Sequence, residues 1–154
     1  MNKLFVLIDT STKTNGKSKC GESIIIWAAW WNEIRDMPYR TDCIYIIHEC
    51  PNKVFYDGLL RILQSCRHLC HRGKKMIIFG DCKLVMDHVN KKECISGKLL
   101  PFYNQAKKLE SNFPCRIEYR YVNRENQKYK KIHEITKNFK IFIKNQFKNY
   151  QKIK

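Results

Sequence analysis

Three short apolar segments, close together near the N-terminus, constrain the fold more than any other feature of the sequence. They occupy residues 4–8, 23–31 and 43–48, and polar or turn-forming residues separate them. Apolar runs of this length, rich in β-branched and aromatic side chains, indicate buried β-strands. Three such strands in succession predict an antiparallel meander, in which the first strand stops at Asp9 and a turn follows.

From Asn52 onward the apolar residues recur at helical spacing, which predicts a core-facing amphipathic helix that closes near Gly73. The elements predicted after it are a strand at 76–79, a helix at 83–90 with Leu84, Val85 and Val89 facing inward, a helix at 99–113, a half-buried strand at 116–122 and a helical tail from Lys128. A meander followed by crossover units gives one mixed α/β sheet with helices on its faces. Right-handed crossovers place the fourth strand beside the first.

The 154-residue chain is strongly basic, with 30 Lys and Arg against 14 Asp and Glu and a net charge of +16. A polyanion usually neutralises such a charge, so nucleic acid is the first expected partner and an anionic membrane surface the second. A composition rich in Lys and Asn also arises from an A/T-rich coding genome, which is the alternative explanation. No apolar stretch reaches the length of a transmembrane helix, and we expect no membrane association.

The length fits one domain, which we expect to span residues 1–150, followed by a basic tail at 151–154. Eight cysteines at irregular spacing, with no secretory signal before them, favour reduced thiols and an intracellular protein. The sequence does not identify the compartment. Cys66, Cys70 and His71 crowd soft ligands at one helix end. They are either a zinc site or ordinary buried cysteines, and the absence of a second Cys/His pair at finger spacing favours the latter.

Two aspartates follow predicted inner strands, Asp9 after the first and Asp81 after the fourth. If those strands are neighbours, the two carboxylates lie close together and repel each other unless a divalent cation sits between them. This is a metal-site hypothesis. The alternative is that each aspartate caps the turn or helix that follows it.

Four segments carry a family resemblance when taken in order. They are Asp9-Thr-Ser11, Asn52-Lys-Val-Phe-Tyr-Asp-Gly58-Leu59, Phe79-Gly-Asp81-Cys-Lys-Leu84-Val85 and Val122-Asn-Arg124-Glu125-Asn126. They resemble the motifs Asp-Gly-Ser, Asn-x-Ala-Glu-x-x-Ala-Leu, Asp-Ser-x-Leu-Val and Val-Pro-Arg-Glu-x-Asn of the ribonuclease H family, in particular its short plant-type branch without a basic protrusion. The resemblance extends from Phe5 to about Phe139.

The resemblance implies a five-stranded mixed sheet of order 3-2-1-4-5 with helices on both faces. It also implies a site where four carboxylates hold two Mg²⁺ ions that cleave a phosphodiester. Asp9 and Asp81 match the first and third acids. The second, a Glu, falls on Phe55, and the fourth falls on Lys131 or His133, depending on whether the preceding loop carries an insertion.

These departures imply that the metal-hydrolysis site is incomplete. Neither Lys nor His is a hard-oxygen ligand for Mg²⁺, so we expect Asp9 and Asp81 to hold Mg²⁺ or Mn²⁺ weakly, if at all. A lysine beside the two aspartates would neutralise them in place of the ion. Moving the helix register to put Asp57 in the Glu position breaks the apolar stripe, although Asp57 or Glu49 remains a candidate to approach the site.

Ser11 and Asn52 occupy positions at which family members touch the RNA/DNA hybrid. Arg124 also matches a family motif; it either contacts nucleic acid or ties the last strand to a nearby carboxylate. A stripe along the helical tail either follows phosphates or is a solvated helix face; it comprises Lys137, Lys140, Lys144 and Lys148.

Of three tryptophans on the second strand (Trp27, Trp30 and Trp31), alternation leaves Trp30 or Trp31 exposed, where it could stack on a base or a partner protein.

Three functions are consistent with these features. The first is a catalytically inactive ribonuclease H-like module that binds RNA or an RNA/DNA hybrid, within a larger ribonucleoprotein or replication assembly. The second is an active, metal-dependent hybrid nuclease with rebuilt ligands. The third is a protein-interaction subunit whose positive charge meets an acidic partner.

Overall fold

We analysed a computed structural model of the chain. It describes residues 2–14, 21–34, 38–48, 50–70, 74–91, 97–123 and 125, together with 130, 133, 134, 137, 138, 141 and 145 near the C-terminus. Within the strands, residues 11–14, 21–22 and 45–48 are described by their backbone alone. The predicted tail at 151–154 lies outside the described residues.

Among the described residues, eight elements follow one another in the predicted order. They are β1 (Lys3–Thr14), β2 (Gly21–Trp31), β3 (Arg40–His48), α1 (Pro51–Ser65), β4 (Lys75–Gly80), α2 (Lys83–Lys91), α3 (Leu100–Ser111) and β5 (Arg116–Tyr121). Between residues 130 and 145 the structure describes seven residues, and all seven are helical. They agree with the predicted helical tail at those positions.

The five strands form one sheet of order β3-β2-β1-β4-β5, as predicted. β1 pairs antiparallel with β2, and β2 pairs antiparallel with β3, which makes the meander. β4 lies parallel to β1 and β5 lies parallel to β4. The crossovers from β3 to β4 and from β4 to β5 contain the helices, so the mixed sheet follows directly from the order of elements.

β1 is longer than predicted. It does not stop at Asp9 but continues to Thr14, because its second half stays paired with β2, down to Thr14 opposite Gly21. The β-branched threonines at 10, 12 and 14 suit an extended strand, which the polar character of the segment concealed. Asp9 therefore lies within β1, although the parallel pairing with β4 ends two residues before it, at Leu7 opposite Phe79.

α1 packs against the sheet at close range. Gly58 permits this approach, because a Cβ at that position would lie 2.5 Å from Ile8 Cδ1 and 2.8 Å from Ile25 Cγ2. The main core lies between this face of the sheet and helices α1, α2 and α3. A smaller cluster, which includes Leu7, Ala28 and Trp30, lies on the opposite face.

One predicted helix boundary and one predicted side-chain orientation were wrong. α1 ends at Ser65, earlier than the predicted Gly73, and Cys66 closes it by donating its backbone N–H to Ile62 O at 2.8 Å. Leu84, predicted to face inward, is 43% exposed on the first turn of α2, since the apolar side of this short helix is formed by Val85, Met86 and Val89. In the described part of the chain, no helix has the length and apolar character needed to cross a membrane.

Candidate functional site

Asp9 and Asp81 belong to neighbouring strands. Extending the register of Leu7 opposite Phe79 by two residues brings Asp9 level with Asp81, the first residue after β4. Alternation places Ile8 in the main core and directs Leu7 and Asp9 to the opposite face of the sheet. Asp9 is only 2% exposed, whereas Asp81 is partly buried. The fold therefore brings the backbone of Asp9 beside that of Asp81, and the close approach of their carboxylates stays a prediction.

His133 meets Asp9 at this site. His133 Nδ1 lies 3.2 Å from Asp9 Oδ2, and 37% of the histidine side chain is exposed. The contact is an ion pair when the imidazole is protonated. Of the two positions that the sequence left open for the fourth acid, His133 contacts Asp9, and Lys131 lies outside the described residues.

Phe55 is buried in the main core. Its ring lies over Gly80, where a Cβ would come within 2.4 Å of Phe55 Cζ and 3.2 Å of Ile8 Cγ2. Ile8 and Gly80 immediately precede the two aspartates. The side chain that stands in the Glu position of the family motif therefore packs beneath the two acids and offers no oxygen.

The donor set does not fit the pair of Mg²⁺ ions that the family resemblance implies. Among the described residues, no three His, Cys, Asp or Glu side chains are grouped so as to hold a metal ion. Asp57 lies 3.7 Å from Arg61 Nε, one helical turn along α1, and Glu49 is outside the described residues. Two carboxylates and one imidazole are fewer hard ligands than two hexacoordinate ions require.

Asn52, one of the predicted nucleic-acid contacts, lies beside the same edge of the sheet. The thiol of Cys82, the residue after Asp81, is 3.5 Å from Asn52 Oδ1 and donates to it. Ser11 is paired through its backbone with Ile24, and Lys137 is exposed on the helical tail. The other predicted contacts lie outside the described residues: Arg124, Lys140, Lys144 and Lys148.

The N-termini of three helices converge at this edge, a feature that the sequence did not predict. Cys82, directly before α2, contacts the start of α1, and Lys53 Nζ lies 5.9 Å from the ring of Phe102 near the start of α3. None of the three helices has an acidic residue in its first turn. Lys53 and the exposed Lys83 add full positive charges to the positive ends of the helix dipoles, beside the carboxylates of Asp9 and Asp81.

The cysteines flagged at the end of α1 are buried thiols. Burial raises the pKa of Cys66 to about 12 and also raises the pKa of Cys70, with Cys115 nearby. Cys66 and Cys70 do not share one helix, because α1 ends between Ser65 and Cys66. The structure describes no metal-binding group that includes them, and His71 lies outside the described residues.

The tryptophans of β2 separate into core and surface positions. Trp27 and Trp30 are buried, whereas Trp31 is partly exposed, which answers the choice that alternation left open. Trp31 contacts Tyr39 and Lys74, residues that precede β3 and β4. Sequence reasoning missed both, because nothing in the local pattern connects two loop residues to a strand end that lies far from them along the chain.

No protein-family model matches the sequence, and no curated protein matches it significantly. Solved structures do match. The ribonuclease H1 of the halophilic archaeon Halobacterium salinarum superposes with a TM-score of 0.65 at 16% identity, over 79% of this chain and 86% of that one. The N-terminal ribonuclease H domain of a Mycobacterium tuberculosis protein, solved as a fusion with maltose-binding protein, gives 0.62 at 24% identity, over 82% and 87%.

A third match is the ribonuclease H1 called LC11, solved in complex with an RNA/DNA hybrid. It gives a TM-score of 0.66 at 12% identity and covers 79% of this chain and 86% of its own. At these identities the likeness concerns the fold. The strand order, the crossovers that carry the helices and the structural matches agree: this chain is a domain with the ribonuclease H-like fold.

Proposed function

We propose that this domain binds RNA or an RNA/DNA hybrid along the edge of the sheet that carries Asp9 and Asp81, and that it does not cleave the bound strand by two-metal hydrolysis. One observation carries the proposal: the ring of Phe55 packs on Gly80, the residue before Asp81, and Phe55 stands where the ribonuclease H resemblance implies a metal-binding Glu. The proposal assigns the domain a binding role, as a module of a larger intracellular ribonucleoprotein or replication assembly.

The charge arrangement supports the loss of metal chemistry. Two neighbouring carboxylates need a compensating positive charge, which a divalent ion supplies in a hydrolytic site. Here His133 lies 3.2 Å from the buried Asp9 and supplies that charge when protonated. Neither a phenyl ring nor an imidazole supplies the hard oxygen ligands that Mg²⁺ prefers, so both replacements act against metal binding.

The charge distribution also supports nucleic acid as the ligand. The net charge is +16, and helices α1, α2 and α3 direct N-termini free of first-turn acids toward one edge. Phosphates are stabilised at such positions by backbone N–H groups and by the helix dipole. LC11, which has the same fold, was solved with an RNA/DNA hybrid bound. A basic domain of this fold offers the hybrid a preformed surface.

The test is to measure binding and cleavage of one labelled RNA/DNA hybrid in the same samples, in Mg²⁺ and in Mn²⁺. We expect binding without cleavage. Asp9→Asn and Asp81→Asn serve as matched controls, since they remove the carboxylate charge with little change in size. Cleavage that both substitutions abolish would identify an active nuclease with rebuilt ligands. Absence of binding to hybrid and to RNA would favour the protein-interaction role.

A further inference from the structure

The opposite end of the sheet carries a second cluster with nucleic-acid-binding character. Trp31, the last residue of β2, pairs with Leu4 at the start of β1. Asp9 lies five residues further along β1, which is about 16 Å at the usual rise per residue of a strand. The cluster formed by Trp31, Tyr39 and Lys74 is therefore well separated from the aspartates and from the helix N-termini.

Tyr39 is the exposed member of this cluster. It is 64% exposed, and its ring makes an edge contact with Trp31, with ring centroids 6.5 Å apart and an interplanar angle of 67°. Its backbone is fixed, because Tyr39 N donates to Ala29 O at 2.8 Å and so continues the pairing of β2 with β3. A large aromatic surface is thus held in place in solvent. Because the ring is already ordered, stacking a second ring on it costs little conformational entropy.

Positive charge lies directly beside the rings. Lys74 Nζ is 4.8 Å from the centroid of the Trp31 ring. Arg40, next to Tyr39, is 5.7 Å over the ring of Trp27, and its guanidinium donates to Ser65 O at the end of α1. Aromatic rings beside Lys and Arg are the combination with which proteins bind single-stranded nucleic acid, through base stacking and phosphate contacts.

We propose that Trp31, Tyr39 and Lys74 form a second nucleic-acid contact, which accepts an unpaired base of a single strand on Tyr39 and its adjacent phosphate on Lys74. The proposal rests on the nucleic-acid class of the proposed function but concerns a different surface and a different strand form. A duplex keeps its bases stacked on one another, so an exposed ring reads only unpaired bases. A second copy of the chain is disfavoured there, because the cations of both copies would meet.

The experiment compares a labelled single-stranded oligonucleotide with a labelled RNA/DNA hybrid of the same length, for the wild type, Tyr39→Ala, Tyr39→Phe and Lys74→Gln. We expect Tyr39→Ala to weaken single-strand binding roughly 5- to 150-fold, the range for loss of one stacked base. Tyr39→Phe keeps the ring and should bind like the wild type. Trp31 is the one partly exposed tryptophan of β2, so quenching of its fluorescence by the oligonucleotide provides an independent readout.

The outcomes separate this proposal from the proposed function. Loss of single-strand affinity in Tyr39→Ala with unchanged hybrid affinity supports it. Wild-type affinity in Tyr39→Ala overturns it, whether or not the hybrid binds. If the wild type binds the single strand through Tyr39 but ignores the hybrid, this contact stands and the hybrid-binding function fails. Displacement of the oligonucleotide by polyglutamate of equal charge would overturn the nucleic-acid assignment in favour of an acidic protein.

Discussion

Phe55 and Gly80 are complementary at the level of single side chains, because the ring occupies the space that any larger residue at position 80 would need. Gly80→Ala should lower the free energy of unfolding by about 1–3 kcal/mol, the usual cost of overpacking a core. In a Phe55→Leu background the same substitution should cost less, since the aromatic ring is gone. Urea denaturation of the four proteins in this cycle measures the coupling.

Gly97 provides the matched control for that cycle, since a Cβ there would meet no atom within 4 Å. Gly97→Ala should change stability by less than about 0.5 kcal/mol. A Gly80→Ala protein as stable as Gly97→Ala would show that Phe55 does not pack on Gly80 as described. The account of the metal site would then lose its main structural support.

Cys66 should be inert in the native protein, because burial raises its pKa from 9.0 to about 12 and leaves almost no thiolate near neutral pH. Alkylation followed by mass spectrometry should therefore modify the partly exposed Cys43 before Cys66. The same shift makes stability depend on pH, because the thiol of the unfolded chain ionises before the buried thiol does. The contribution of Cys66 to the free energy of unfolding is therefore full below pH 9 and is lost as pH rises from about 9 to about 12. Equal alkylation rates at Cys43 and Cys66 would contradict this burial.

For single residues, the sequence singled out the two aspartates and the two positions at which the family's acids are missing. It did not predict the contacts that these side chains make. The motif order identified Asp9 and Asp81, and the helical register placed Phe55 in the Glu position. That Phe55 packs on Gly80 depends on the distance between α1 and the sheet, which no local pattern encodes. The choice between Lys131 and His133 depended on a loop length that the sequence left open.

Between elements, a buried hydrogen bond joins α1 to α2. Tyr56 Oη lies 2.9 Å from His88 Nδ1, and both side chains are buried in the middle of the core. Tyr56→Phe should destabilise the protein by about 1–3 kcal/mol, because it leaves a buried imidazole nitrogen without this partner. Denaturant unfolding measures the cost.

The control for this prediction is Tyr39→Phe, which removes a hydroxyl from an exposed tyrosine. It should leave stability unchanged within about 0.5 kcal/mol. Equal stability of the Tyr56→Phe and Tyr39→Phe proteins would mean that the bond between α1 and α2 contributes nothing net.

Elements were predicted more reliably than their ends. The strand pattern gave β2 and β4 because their apolar, β-branched runs are buried inside the sheet, and it gave the edge strand β3 from a similar apolar run. It missed the second half of β1, whose polar residues are held by pairing with β2 rather than by burial in a recognisable apolar run. It also extended α1 past Ser65, since apolar cysteines continued the helical spacing into a turn.

For the whole molecule, the net charge of +16 should make nucleic-acid binding strongly dependent on salt. If about five phosphates are neutralised, the logarithm of the hybrid-binding constant should fall with the logarithm of salt concentration with a slope of about −4.5. Anisotropy titrations over a series of salt concentrations give this slope directly. A slope near zero would argue against phosphate contacts as the source of affinity.

The central claim of the proposed function is that Phe55 and His133 stand where the ribonuclease H resemblance implies two metal-binding carboxylates, and that the chain therefore binds no pair of ions. Its most direct test is a calorimetric titration of Mn²⁺ into the wild type, into Asp9→Asn and into the Phe55→Glu/His133→Asp double variant, with thermal unfolding to confirm that each is folded. We predict that the wild type takes up no pair of ions and that the double variant gains Mn²⁺ binding. Uptake of two ions by the wild type, lost in Asp9→Asn, would contradict the account.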